Sequence, residues 1–197
     1  MLAFVSRIID VSPPISPSLA VWPGDTPPSR EVLLDMARGD NLTLSTLRTT
    51  VHAGAHADAP SHYAAAGRPI EQRALEVYLG PCHVVHVPTA RGTRVTVGAF
   101  RAARPQPTTH PRVLIATGSY PDAERWNEDF AGLEPALVDA LAADGVRLIG
   151  IDTPSVDLFA SKDLPAHARC AANDIAIREG LPLSRAPPGD YELIALP

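Results

Sequence analysis

Val51-His52-Ala53-Gly54-Ala55-His56-Ala57-Asp58-Ala59-Pro60-Ser61-His62 is the stretch on which the reading of this chain turns. It places three of the seven histidines and one carboxylate within eleven residues. Its spacers are Ala, Gly, Ser and Pro, which leave room around the polar groups and make a poor core segment. Imidazole and carboxylate are ligands that zinc accepts, so the stretch reads as a metal cradle. Geometry limits how it can serve. On an ideal helix His52 and His56 share a face, but Asp58 points elsewhere. On an ideal strand all three share a face, but the two histidines stand about 13 Å apart. Ligands of one zinc ion must each come within about 2.0–2.2 Å of it. The stretch must therefore bend. Gly54 permits the bend, and Pro60 holds Ala59 extended. A strand that ends near His52 and curls through Gly54 aims His52, His56 and Asp58 at one point.

Upstream, Asn41 to Val51 is rich in Thr and Leu and predicts a strand running into this stretch. Glu31 to Met36 predicts another, and Phe4 to Val11 a short strand or opening turn. Between them, Ser12 to Pro28 holds six prolines around Trp22-Pro23-Gly24-Asp25 and must be irregular. A tryptophan in such a loop serves either as a packing lid or as part of a site.

Downstream, apolar spacing through Ile70, Ala74, Val77 and Tyr78 predicts a helix over Ile70 to Leu79, stopped by Gly80-Pro81. Cys82 to Val87, Arg112 to Thr117, Arg147 to Ile151 and Tyr191 to Leu196 predict strands, the last after the turn Pro187-Pro188-Gly189-Asp190. Val97 to Ala103, Glu134 to Ala143 and Ala166 to Arg178 predict helices, with Gly180 as the C-cap of the last. Strands outnumber helices and alternate with them irregularly. The pattern predicts an α/β or α+β domain with mixed sheets, in one domain over residues 1–197.

Composition narrows the function. The 197 residues carry a net charge of −5, which favours neither nucleic acid nor an anionic membrane as partner. No apolar run approaches the roughly 20 residues that span a bilayer, and the N-terminus lacks the pattern of a signal peptide. Cys82 and Cys170 form no disulfide framework, so a cytoplasmic, reduced protein is expected. The 21 prolines are dispersed among apolar segments and predict rigid, ordered turns. His83, His86 and His110 read as ordinary surface or hydrogen-bonded histidines, and Asp152 and Asp157 as turn caps after a strand. His167 and Glu179 open and close one predicted helix. Twelve residues leave them about 120° and about 18 Å apart on a straight helix. They meet only if that helix is interrupted, and Asn173-Asp174 is a possible N-cap there.

His52-Ala53-Gly54-Ala55-His56-Ala57-Asp58-Ala59-Pro60-Ser61-His62 resembles the HxGxHxDxPxH signature of the cyclase-like metal hydrolases. Trp22-Pro23-Gly24-Asp25, Ile151 to Asp157, Ser161 to His167, Glu179-Gly180-Leu181 and Pro188 to Pro197 resemble the bacterial kynurenine formamidases of that superfamily. The resemblance runs nearly end to end. It implies a swivelling β/β/α fold, a homodimer and two zinc ions per chain. His52, His56 and Asp58 would bind the first ion, with Asp58 reaching the second. His167 would bind the second and Glu179 both. His62 would be the catalytic acid/base, and Trp22 would touch the aromatic part of the substrate.

The implied reaction is hydrolysis of N-formyl-L-kynurenine to formate and L-kynurenine by a metal-activated hydroxide. A histidine pKa near 6.5 suits His62 to moving a proton at neutral pH. No Gly-x-Ser-x-Gly elbow supports a serine-hydrolase route. Another amide, lactone or cyclic-ester hydrolase with the same centre is one alternative. A binding protein that keeps the fold without the chemistry is the other, although a binder has no use for His62.

Overall fold

The computed structural model describes residues 7–197. The Phe4 end of the first predicted segment lies outside them, and Ile8 to Val11 has no regular structure. The Pro-rich run is irregular, as expected, and is tied down by backbone bonds such as Ala20 N–H to Ala123 O at 2.9 Å. Strands β1 (Ser29–Leu34) and β2 (Leu44–Arg48) pair with each other alone, as a two-stranded antiparallel hairpin. The second is much shorter than the predicted Asn41–Val51. β3 (His56–Asp58) and the single-turn helix α1 (Pro60–Tyr63) follow.

Ile70 to Leu79 is not an α-helix. It forms two separate 3₁₀ turns, Ile70–Gln72 and Leu75–Tyr78, with extended backbone at Arg73 and Ala74 between them. The apolar spacing is real, but Arg73 breaks it: its guanidinium turns inward to bond Asp174. Gly80-Pro81 does not end a helix either, because β4 (Leu79–His86) already contains it. Pro81 is tolerated there because the parallel pairing with the next strand begins only at His83.

The remaining elements are β5 (Arg94–Val95), α2 (Val97–Ala103), β6 (Arg112–Ala116), β7 (Gly132–Leu133), α3 (Pro135–Ala143), β8 (Leu148–Ile151), α4 (Pro165–Ala172), β9 (Ala176–Glu179) and β10 (Gly189–Ile194). The predicted helix from Ala166 to Arg178 is thus cut at Ala172. Asp174 takes a left-handed backbone, φ 53°, and after Ile175 the chain continues as strand β9, Ala176–Glu179. Gly180 is accordingly not a helix cap; it follows a strand.

Six strands form one mixed sheet in the order β10-β4-β6-β8-β9-β3. The central four are parallel, and the two outer strands run antiparallel to their neighbours. Period-two alternation sends Val85, Val113, Ile115, Ile149, Ile151 and Ile177 to one face, where α2, α3 and α4 cover them. Val84, Leu114, Leu148 and Ala176 face the other side, beneath irregular chain around Tyr78, Leu181 and Leu183. Both faces are buried, which is why β6 and β8 read as unbroken apolar runs. Cys82 and Cys170 are buried free thiols. Among the described residues no helix is long and apolar enough to cross a membrane.

Candidate metal centre

The centre forms where β3 meets β9. The register sets His56 opposite Glu179 and Asp58 opposite Ile177. The bend foreseen at Gly54 is present, with φ 60°, but it lies between β2 and the short strand β3. Gly180 also takes a left-handed backbone, φ 68°, and the Gly54 carbonyl passes so close that a Cβ on Gly180 would sit 2.1 Å from its oxygen. Two glycines are therefore required for β3 to reach β9. The same Gly54 carbonyl accepts the His56 Nδ1–H at 3.1 Å, which leaves Nε2 as the free lone pair.

Asp58 is at the middle and 1% exposed. Its Oδ1 lies 3.0 Å from His52 Nδ1 and 3.3 Å from His56 Nε2, and its Oδ2 lies 3.4 Å from His167 Nε2. Glu179 reaches both sides, with Oε2 at 3.5 Å from His56 Nε2 and Oε1 at 3.6 Å from His167 Nε2. Two ligand-competent triads result, His52/His56/Asp58 and Asp58/His167/Glu179, and Asp58 is common to both. The interruption of the predicted helix is what brings His167, on α4, and Glu179, on β9, to the same point.

Both oxygens of Asp58 and Nε2 of His56 are buried without any hydrogen-bond partner. Buried polar atoms are rarely left so, and these converge on one spot. Their charges fit a cation. Burial by itself would depress the His56 and His167 imidazoles, but the carboxylates around them outweigh it and raise each to about 10. Burial would raise Asp58 as well, yet the three histidines hold it well below the usual carboxylate range. Glu179 goes up, from burial and from the Asp58 charge beside it. Protons on two histidines thus supply the positive charge that this anionic pair demands, and a cation bound there would displace them.

Asp157, read from sequence as a turn cap, does cap α4: its carboxylate accepts the Ala166 and His167 N–H groups at 3.0–3.1 Å. It also accepts His167 Nδ1–H at 2.9 Å and pairs with Arg94 at 2.8 Å. It therefore selects the tautomer of His167 and aims Nε2 at the centre. Asp152 is held by Thr117 Oγ1 and Gly118 N at 2.7 and 2.8 Å. His62, on α1, is exposed, and its ring lies tilted at 39° to that of His52 with centroids 4.1 Å apart. Partial burial lowers its pKa, so the ring is neutral at neutral pH and can take or give a proton.

The centre opens into a cavity of about 450 Å³. Trp22 lines it and packs against Trp126 and Phe159 with ring centroids at 5.3 and 5.0 Å. Sequence reasoning missed this aromatic wall, whose members come from three separate loops. His83, His110 and Asp190 form another group with ligand-type atoms, at the far edge of the sheet. Two backbone N–H groups, of Thr109 and His110, donate to His83 Nε2 at 3.2 Å, so its proton is on Nδ1, facing Asp190 at 2.5 Å. That arrangement leaves no free lone pair on His83 for a metal. His86 donates to the Ala186 carbonyl at 2.8 Å.

Comparison with known proteins agrees with this architecture. The family model described as "Putative cyclase" matches residues 9–158. Among solved structures, a potential metal-dependent hydrolase with cyclase activity is 22% identical, with a TM-score of 0.78 over 95% of this chain and 94% of that one. Isatin hydrolase A from Ralstonia solanacearum is 20% identical, with a TM-score of 0.81 over 97% and 85%. Isatin hydrolase A from Labrenzia aggregata, bound to benzyl benzoate, is 21% identical, with a TM-score of 0.80 over 97% and 87%. At these identities the likeness is one of fold. The family match spans most of the chain, and the protein belongs to the cyclase family.

Proposed function

We propose that this protein is a zinc-dependent arylformamidase that hydrolyses N-formyl-L-kynurenine to L-kynurenine and formate. The observation that carries the reading is the pair of triads sharing Asp58, with its orphaned oxygens buried among three imidazoles. His52, His56 and Asp58 would hold one ion, Asp58, His167 and Glu179 the second, two per chain. When bound, zinc supplies Lewis acidity and lowers the pKa of water to about 7.

The chain's own residues supply the rest. Trp22 and Trp126 present an aromatic wall that fits the aryl ring, with Phe159 packed against Trp22. His62 sits at the edge of the centre, where it can take a proton from the attacking water and give one to the aryl amine as the C–N bond breaks. Asp157 and the Gly54 carbonyl hold two imidazoles in the required tautomers. His62→Ala is expected to keep two zinc ions per chain by elemental analysis and to lose about 10²–10⁴ in kcat on N-formyl-L-kynurenine. Full activity in that variant removes His62 from the mechanism. A wild-type chain that holds metal but leaves this substrate intact removes the arylformamidase reading. The fold shared with isatin hydrolases makes a cyclic amide the second substrate to assay.

The same reading includes a homodimer, and the β1–β2 hairpin supports it. A two-stranded hairpin is at best marginally stable alone in water, yet this one pairs with no other strand. Val32, Leu33, Met36, Leu42, Leu44 and Leu47 are exposed along it. Its charged residues balance, Arg30, Arg38 and Arg48 against Glu31, Asp35 and Asp40, although the whole chain carries −5. A patch that meets its own copy needs that neutrality, whereas a nucleic acid or anionic membrane needs excess cations. Light scattering is expected to give twice the chain mass for the wild type and the single mass for Leu47→Glu, with unchanged circular dichroism. A Leu47→Glu variant that stays dimeric places the interface elsewhere.

A further inference from the structure

The cavity over the centre is lined unevenly by charge. Asp25 and Asp152 line it beside the centre's own residues, and no Lys or Arg does. Asp152 is already committed to Thr117 and Gly118. Asp25 also has local bonds, its Oδ1 accepting the Thr26 N–H at 2.7 Å, but unlike Asp152 it is solvent-exposed and so open to a ligand. Hydrogen bonds from Thr50 and Thr26 hold its carboxyl below the usual range, so it is charged at neutral pH. The turn that carries it closes with Asp25 N–H to Trp22 O at 2.9 Å. One tight turn therefore sets an anion and an indole at the same side of the cavity.

We infer that Asp25 binds the cationic amino group of the substrate while the aryl ring rests against Trp22, so that the substrate class is an aryl amide whose side chain bears an ammonium. The inference rests on the arylformamidase reading and extends it to the end of the substrate remote from the amide. Asp25 is exposed, so it offers an ammonium at the cavity mouth a charge-assisted partner without burying it. Among the described residues the cavity lining offers a carboxylate on the same side chain no lysine or arginine, so the ammonium is the end that the charged lining recognises.

Asp25→Asn tests this, because the amide oxygen can still accept from Thr26 while the charge and one acceptor oxygen are lost. Three substrates separate the roles: N-formyl-L-kynurenine, its analogue without the amino group, and its analogue without the carboxylate. Asp25→Asn is expected to lower kcat/KM about tenfold, through KM, on the two that carry the amine, with the loss confined to them. An equal loss on all three makes Asp25 only a support for the loop, and no loss on any removes it from the site; either overturns the proposal. Binding of kynurenine, read by quenching of tryptophan fluorescence, needs no turnover. A Kd raised about tenfold in Asp25→Asn supports the proposal and an unchanged Kd overturns it. Wild-type failure to hydrolyse all three substrates, by contrast, defeats the arylformamidase reading alone.

Discussion

Asp58→Asn is expected to empty the centre of metal and to cost about 10³-fold or more in activity, the several kcal/mol that metal ions contribute to such a transition state. Asp58 is the one residue common to both triads, and it contributes both oxygens, Oδ1 toward His52 and His56 and Oδ2 toward His167. Asparagine matches its shape but offers one oxygen, no charge and an NH₂ group that points N–H bonds at the remaining imidazoles. A second readout does not depend on turnover. An ion that binds only the folded chain raises its stability by mass action, so a chelator is expected to lower the Tm of the wild type and to leave that of Asp58→Asn unmoved. Undiminished zinc in Asp58→Asn would take this residue out of its shared place.

Gly180→Ala is expected to be nearly as damaging, without touching a ligand. At φ 68° an L-residue is strained, and here the added methyl would lie 2.1 Å from the Gly54 carbonyl oxygen and 2.9 Å from its carbon. Left-handed backbone costs an ordinary residue roughly 1–2 kcal/mol. The collision adds to that because both neighbours are backbone, held by the pairing of His56 with Glu179. We expect a loss of about 3 kcal/mol or more in denaturant unfolding. Weaker metal retention should accompany it, because relieving the clash moves β3 away from β9 and parts His56 from Glu179. A Gly180→Ala chain within about 0.5 kcal/mol of the wild type, with its metal intact, would show that the crossing has slack.

The sheet was legible where burial on both faces writes continuous apolar runs, as in Val113-Leu114-Ile115-Ala116 and Leu148-Ile149-Gly150-Ile151, and α2 and α3 were legible from their spacing. The first half of the centre was legible because His52, His56 and Asp58 are neighbours in sequence and Gly54 gives away the bend. The second half was not. Asn173-Asp174 was the only local hint of a break, and the helix does end there; what holds the turn, the Asp174 carboxylate claimed by Arg68 and Arg73 from a hundred residues earlier, was not readable. From the residues alone His167 and Glu179 could meet only through that interruption, and the resemblance to formamidases is what made the pairing an expectation. Arg73 hid the 3₁₀ turns in the same way, since a guanidinium drawn inward overrides apolar periodicity. Asp157 was readable as a cap but not as the support of His167, because its second partner, Arg94, lies far away in the chain.

The junction of β3 with β9 also bears on how the protein is made. More than a hundred residues separate Asp58 from Glu179. At about 5–20 residues per second, a ribosome takes roughly 6–24 s to cover that interval. For that time the nascent chain carries His52, His56 and Asp58 without the strand that completes their surroundings. The two halves of the site can close only after β4, β6 and β8, which lie between them in the chain, have been made. Any ion that needs both triads must therefore wait for β9, so the centre would be filled after the strands between its two halves have been made.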